Sequence, residues 1–283
     1  MGRNRIARCG AAIALVACFV SAASAIGPTV SYSLPSSSQT SGTGPLSASE
    51  TNAYSNGSVS VDYGWARLDA STTAIYTGGA LHTESMFVTA GWRDFVTIDS
   101  AGLTGSTGTA YGALNVTGGA SGSFPNYDWE AFATYDIQVL INGVSQPVAS
   151  GTWINGTWDG QLPITVELPV EFTFGESFMM EVVIQVYTSA SNYWLWQNTP
   201  NEGEFATARM DLGHTIEWAG LSQVEDADSN IVFQQGESSD LTFSSFTQTD
   251  WTAPVEAPPI PEPATLGLLA AGAMVMIRRR RAA

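Results

Sequence analysis

Strict alternation of apolar and polar residues is the feature that most constrains the fold of this chain. Apolar side chains occupy the even positions from Ile164 to Phe174 and again from Phe178 to Val186. A period of two places these side chains on one face of an extended strand. Gly175-Glu176-Ser177 interrupts the pattern with turn-forming residues. The segment is therefore predicted to be a β-hairpin with one buried face, in which a three-residue loop joins the strands.

Two local signals add detail to this pattern. Residues 131–141 alternate in the same way and end at Asn142-Gly143, a pair that favours the positive φ angles of a type I′ hairpin turn. Pro169 lies within the strand 164–174 and has no amide proton to donate to a neighbouring strand. We therefore expect the strand that contains Pro169 to lie at a sheet edge or to be bulged there.

Alternation of period two continues from Ser58 to Trp251, and no helical period of 3.6 persists there. About ten short strands with intervening turns predict an all-β fold, an antiparallel β-sandwich or jelly roll over residues 58–252. The preceding residues 26–57 are rich in Ser, Thr and Gly and are predicted to be a leader loop with one strand near Val30 to Leu34. Residues 253–263 are rich in proline and are predicted to be an exposed linker.

The first 25 residues have the pattern of a signal peptide, with a basic start, an apolar run and small residues at a cleavage site. Ala23 and Ala25 are the cleavage-site residues, so that the mature chain is expected to begin at Ile26. A lipobox ending at Cys18 is the alternative interpretation. Either way the pattern predicts export through the secretion machinery.

The tail combines three segments with separate physical properties. Pro261, Glu262 and Pro263 form a donor-poor motif, and residues 264–277 form an uncharged apolar run. As a helix this run extends ~21 Å, about two-thirds of the hydrocarbon core of a membrane. Four arginines follow and are predicted to stop translocation on the cytoplasmic side: Arg278, Arg279, Arg280 and Arg281. A plain tail anchor is the alternative interpretation.

The order of these three segments resembles the PEP-CTERM sorting signal of Gram-negative bacteria. The resemblance covers the last 25 residues or so. It implies an exosortase-type processing enzyme as partner, a transient stay in the inner membrane through the 264–283 helix and arginine cluster, and removal of that helix. The mature protein is then expected at the cell surface or outside the cell. The resemblance also implies a link to extracellular polysaccharide.

Charge and cysteine content exclude several functions. The chain's two cysteines, Cys9 and Cys18, lie in the signal peptide, so the body can form no disulfide and no Cys-zinc site. Between Ile26 and Ala257 there are three arginines, 25 acids and no lysine, a net charge of −22. Such a body repels nucleic acid. We interpret the acids, which occur singly, as a solvated surface; divalent-cation bridging is the alternative.

Two carboxylates are the candidate catalytic residues. If Gly175 to Ser177 is a three-residue loop, Glu171 and Glu181 lie directly opposite each other on the exposed face. Retaining glycosidases need carboxyl groups ~5 Å apart, which is about the Cβ separation of opposed strand residues. The alternative interpretation is two solvated surface acids that repel each other.

A second candidate is a calcium loop formed by Asp226, Asp228, Asn230 and Glu237, which have the spacing of positions 1, 3, 5 and 12. Ile231 occupies the position where such loops have glycine, so an Asx-rich turn is the preferred interpretation and no cofactor is assigned.

Aromatic residues are candidates for stacking on sugar rings: Trp153, Trp158, Tyr193, Trp194 and Trp196. Core packing is the more common role of such side chains. Taken together, the residues predict an exported, non-enzymatic surface or matrix protein. A carbohydrate-binding module or glycoside hydrolase on a jelly-roll fold is the alternative.

Overall fold

The computed structural model describes residues 27–36, 39–125, 129–192, 200–237 and 239–259, with only the backbone of residues 214 and 215. These residues contain sixteen strands and no helix, so none of them forms a helix that could cross a membrane. The predicted all-β, antiparallel class is confirmed. The predicted signal peptide 1–25 and the predicted tail helix and arginine cluster 264–283 lie outside the described residues.

Two antiparallel sheets of eight strands each make up the body. In sheet A the order is β11-β10-β9-β13-β7-β1-β2, and β16 also pairs with β7. Its strands are β1 (Thr29–Ser33), β2 (Thr40–Gly42), β7 (Ser85–Ser100), β9 (Trp129–Ile141), β10 (Val144–Ile154), β11 (Thr157–Trp158), β13 (Ser177–Asn192) and β16 (Leu241–Ser245).

In sheet B the order is β12-β8-β14-β5-β4-β3, with β15 paired to β14 and β6 paired to β5. Its strands are β3 (Leu46–Thr51), β4 (Ser55–Asp62), β5 (Trp65–Thr77), β6 (Ala80–His82), β8 (Thr107–Ser123), β12 (Ile164–Thr173), β14 (Phe205–Asp226) and β15 (Ile231–Gln234).

The core lies between the inner faces of the two sheets, as in a β-sandwich. Alternation places every second side chain there: Leu168 and Val182 are 4% and 0% exposed, as the sequence pattern predicts. The largest side chains buried in this layer are Trp92, Trp129 and Trp218. Because each sheet contributes one apolar face, this single layer serves as the core of the whole body.

The two local signals are also confirmed. Asn142 and Gly143 have φ angles of 50° and 82°, and they join β9 to β10 with Ile141 opposite Val144. β12, which contains Pro169, pairs only with β8 among the described strands and is the edge of sheet B. Because an edge strand has a partner on one side alone, it tolerates a residue without an amide proton.

The predicted hairpin of residues 164–187 is wrong. β12 pairs with β8 in sheet B, whereas β13 pairs with β7 and β9 in sheet A. The chain crosses the core at Phe174, which is fully buried, and Gly175 turns it with a φ of 80°. The hairpin and the crossing both need a period of two. In a hairpin the two apolar faces lie side by side in one sheet, whereas after a crossing they face each other between two sheets.

The leader-loop prediction for residues 26–57 is wrong beyond its one expected strand. β1 occupies the expected place and pairs with β7, with Val30 opposite Trp92 in the core. β2, β3 and the start of β4 also lie within this range. β2 and β3 are end strands of their sheets, where few side chains are buried and Ser and Thr suffice. Their hydrophobic signal is correspondingly weak.

We expect Leu168→Ala to lower the free energy of unfolding by about 2–5 kcal/mol, because it leaves a cavity between the sheets. Thr165→Ala, at an outward position of the same strand, loses one exposed hydrogen bond to Asn115 and should cost less than about 1 kcal/mol. Urea unfolding of the two variants measures both values. Equal losses would contradict the assignment of the inner face.

Candidate functional site

The structure separates the two candidate catalytic acids. Glu171 lies on β12 opposite Thr109, in sheet B. Glu181 lies on β13 between Arg93 of β7 and Leu140 of β9, in sheet A. The prediction that the two carboxylates oppose each other is therefore wrong, because it depended on the hairpin register that the crossing at Gly175 replaces.

Glu181 has a cation as its neighbour. Its Oε2 accepts a hydrogen bond of 2.8 Å from Nη2 of Arg93, and the two side chains are 16% and 15% exposed. Arg93 is one of three arginines in the body. The half-buried guanidinium and carboxylate neutralise each other on the outer face of sheet A. This pairing gives Glu181 a structural role.

The candidate calcium ligands form a hydrogen-bonded turn. Asp226 Oδ1 accepts the amides of Asp228 and Asn230 at 2.9 Å, and Asn230 Nδ2 donates to Asp226 Oδ2, also at 2.9 Å. These hydrogen bonds from Asn230, above all, lower the pKa of the Asp226 carboxyl. Among the described residues there is no cluster of three or more His, Asp or Glu side chains that could hold a metal ion. The segment between β14 and β15 is thus an Asx-type turn.

Two of the candidate sugar-stacking tryptophans pack into the body. Trp153 is 5% exposed, lies opposite Trp158 and belongs to the core. Trp158 is half-buried and stacks on Tyr135, with ring centroids 5.9 Å apart. Burial raises the pKa of Tyr135, and the nearby Asp159 charge adds to that effect. Tyr193, Trp194 and Trp196 lie outside the described residues.

Sequence reasoning missed a buried carboxylate. Asp94 is fully buried at an even, inward position of β7. Its Oδ2 accepts hydrogen bonds from Ser245 Oγ and Thr247 Oγ1, both at 2.6 Å, and from Trp251 Nε1 at 2.8 Å. The one signal in the sequence was Asp94 itself, an acid at an inward position of an alternating strand, and it does not identify the donors. Asp94 thereby fixes the end of the body to its core.

Residues 251–259, which we call the strap, continue from this anchor across sheet B. Trp218 Nε1 donates to the carbonyl oxygen of Trp251 at 2.7 Å, and their rings meet edge to face. Val255 donates its amide to the carbonyl oxygen of Trp218 at 2.8 Å. Its side chain covers Gly64, where an added Cβ would lie only 2.8 Å away. The linker prediction for residues 253–263 missed these contacts.

The outer half of the strap is held by two charged side chains. Ala257 donates its amide to Glu217 Oε1 at 3.0 Å, and Arg67 Nη2 donates to the carbonyl oxygen of Pro258 at 2.5 Å. Pro258 and Pro259 themselves are exposed. The chain is therefore held at a fixed point on β5 and β14 up to Pro258, three residues before Pro261.

A family model described as the PEP-CTERM protein-sorting motif matches residues 259–281. A comparison with curated proteins finds no match, and a comparison with solved structures finds none either. The resemblance drawn from Pro261, Glu262, Pro263 and the arginines is confirmed. The chain thus carries the motif that marks exported proteins for sorting to the cell surface by an exosortase.

We expect Glu181→Gln to lower the free energy of unfolding by about 1–2 kcal/mol, because it leaves the half-buried Arg93 without a counter-charge. Glu171→Gln, at an exposed position of the edge strand β12, is the matched control and should change it by less than about 0.5 kcal/mol. Urea unfolding at neutral pH measures the difference. Equal effects would show that the ion pair contributes nothing to stability.

Proposed function

We propose that this protein is a non-enzymatic component of the cell surface or the extracellular matrix, with a β-sandwich body that functions after sorting. The sorting motif at residues 259–281 is the observation that carries this proposal. The separation of Glu171 and Glu181 into different sheets supports a body without glycosidase activity. It removes the only paired carboxylates that the sequence offered for that chemistry.

The route that we propose follows from the order of segments. The signal peptide ending at Ala25 directs export through the secretion machinery, and the apolar run 264–277 holds the chain in the inner membrane for a time. Arg278 to Arg281 keep the end of the chain on the cytoplasmic side. The exosortase then acts near Pro261 to Pro263, and the body is left outside.

The charge of the body suits this destination. Three arginines and 25 acids between residues 26 and 257 give a net charge of −22, which keeps the protein soluble and repels nucleic acid. The same charge repels acidic polysaccharide unless cations intervene. The resemblance to sorted proteins implies an association with polysaccharide. We therefore expect the body to associate with neutral polysaccharides, or with acidic polysaccharides through bridging calcium ions.

Replacing Pro261-Glu262-Pro263 by Ala-Ala-Ala tests the sorting proposal. The change should trap the full-length protein in the membrane while the body still folds, because the motif lies outside the sandwich. Cell fractionation and intact-mass measurement follow the outcome. In the unaltered protein, surface or medium fractions should lack residues 264–283.

Unaltered protein found at the surface with Arg278 to Arg281 still attached would refute processing and leave a plain tail anchor. As a control, Glu171→Ala, at an exposed position of the edge strand β12, should leave sorting intact.

A second candidate function is polysaccharide recognition by the outer face of sheet A. Phe132 and Tyr187 project from this face with ring centroids 5.9 Å apart, and neither belongs to the residues packed against the core. Asp136 lies opposite Gln185 on the neighbouring strand, and Gln138 donates to Asp136 at 2.7 Å. Aromatic rings beside amide and carboxylate groups are the side chains that bind sugar rings and hydroxyls.

The double variant Phe132→Ala, Tyr187→Ala tests this second candidate. It should abolish retention of the purified protein in affinity electrophoresis through neutral polysaccharide, because the stacking surface is lost. Phe246→Ala removes an aromatic side chain that is 71% exposed elsewhere on the body and should leave retention unchanged. Retention that is the same in all three proteins would exclude this face as the binding surface.

A further inference from the structure

The strap leaves little free chain between the body and the sorting motif. Pro258 is the last of the described residues that a hydrogen bond holds to the body, and it is three residues before Pro261. Three residues of extended chain span ~10 Å. An enzyme that acts on the motif must therefore approach the folded body almost to contact while the strap is bound.

The contacts of the strap differ in strength along its length. The inner end is anchored by Trp251, which is 3% exposed and hydrogen-bonded to the buried Asp94. The outer end, Ala257 and Pro258, is held by the half-buried side chains of Glu217 and Arg67, through one backbone amide and one carbonyl oxygen. The outer end can consequently detach without disturbing the core.

Detachment changes the reach of the motif considerably. If residues 256–258 leave the surface, the last residue held is Val255, whose amide stays bonded to Trp218. Pro261 follows Val255 by six positions, and an extended chain of that length spans ~20 Å. This is about twice the reach that the bound strap allows, so the motif meets its enzyme further from the sandwich.

We propose that Arg67 and Glu217 are positioning residues for the processing of this chain. By holding Ala257 and Pro258 they keep the motif close to the body, and processing proceeds through the fraction of molecules in which the strap is detached. The proposal rests on the sorting function proposed above. It adds that the body itself controls how fast the motif becomes available to its enzyme.

The test compares processing rates of full-length variants in cells that contain the exosortase. Glu217→Ala removes the acceptor of the Ala257 amide, and Arg67→Ala removes the donor to Pro258. Loss of either hydrogen bond should raise the detached population about fivefold, and loss of both should raise it further. Pulse-chase labelling should show the same order in the rate at which the tail is lost.

Three controls separate this effect from general destabilisation. Glu217→Gln keeps the acceptor oxygen and should process at the unaltered rate. Arg209→Ala removes an arginine that pairs with Asp69 and Asp211 on the same sheet but does not contact the strap, and it too should leave the rate unchanged. Four Gly-Ser residues inserted between Pro259 and Ile260 should accelerate processing even with the strap bound.

Hydrogen exchange at the Ala257 amide provides the independent measurement. If exchange accelerates in the double variant but processing stays the same or slows, the proposal is overturned. Slower processing would instead make the bound strap part of what the enzyme recognises. If the Ala-Ala-Ala variant is processed like the unaltered protein, the failure belongs to the sorting function and not to the role of Arg67 and Glu217.

Discussion

The contact between the inner faces of two sheets is the interaction on which the rest of this structure depends. No cysteine occurs after residue 18, so burial and hydrogen bonding alone must hold the body. The alternating pattern places apolar side chains on the inner faces of the sheets. Leu68, Ile137 and Ile184, for example, come from different strands and are all completely buried. Because burial of apolar surface is the dominant favourable term in folding, this one layer determines strand directions, edges and crossings.

The sequence predicted the class of fold and several local features because those depend on neighbouring residues. Asn142-Gly143 is a turn by its backbone preference alone, and Pro169 belongs at an edge because it lacks a donor. The partner of a strand depends on distant residues instead. Nothing between Ile164 and Val186 distinguishes a hairpin from a crossing between sheets, so the predicted opposition of Glu171 and Glu181 failed with the hairpin.

The sorting signal could also be predicted from neighbouring residues, whereas the anchorage of the strap depends on residues that are distant in the sequence. Pro261, Glu262 and Pro263 could be interpreted from sequence because a sorting signal is a pattern of consecutive residues. The site at Asp94 could not, since its donors Ser245 and Trp251 are about 150 residues away along the chain. A buried carboxylate without a cation is stabilised only when several donors converge on it, and that convergence is a property of the fold.

Chain length and charge together determine how the body can approach a membrane. Ala264 follows Pro258 by six positions, so a bound strap keeps the start of the apolar run within ~20 Å of sheet B. Repulsion between an acidic body and anionic lipid decays over ~8 Å at physiological ionic strength. When the chain between Pro258 and Ala264 is fully extended, most of this repulsion is screened. A shorter connection would hold the body, with its net charge of −22, within the range of strong repulsion from the lipid surface. In the sorting route that we propose, a bound strap thus leaves enough chain for the acidic body to stay beyond the range of strong repulsion from the membrane.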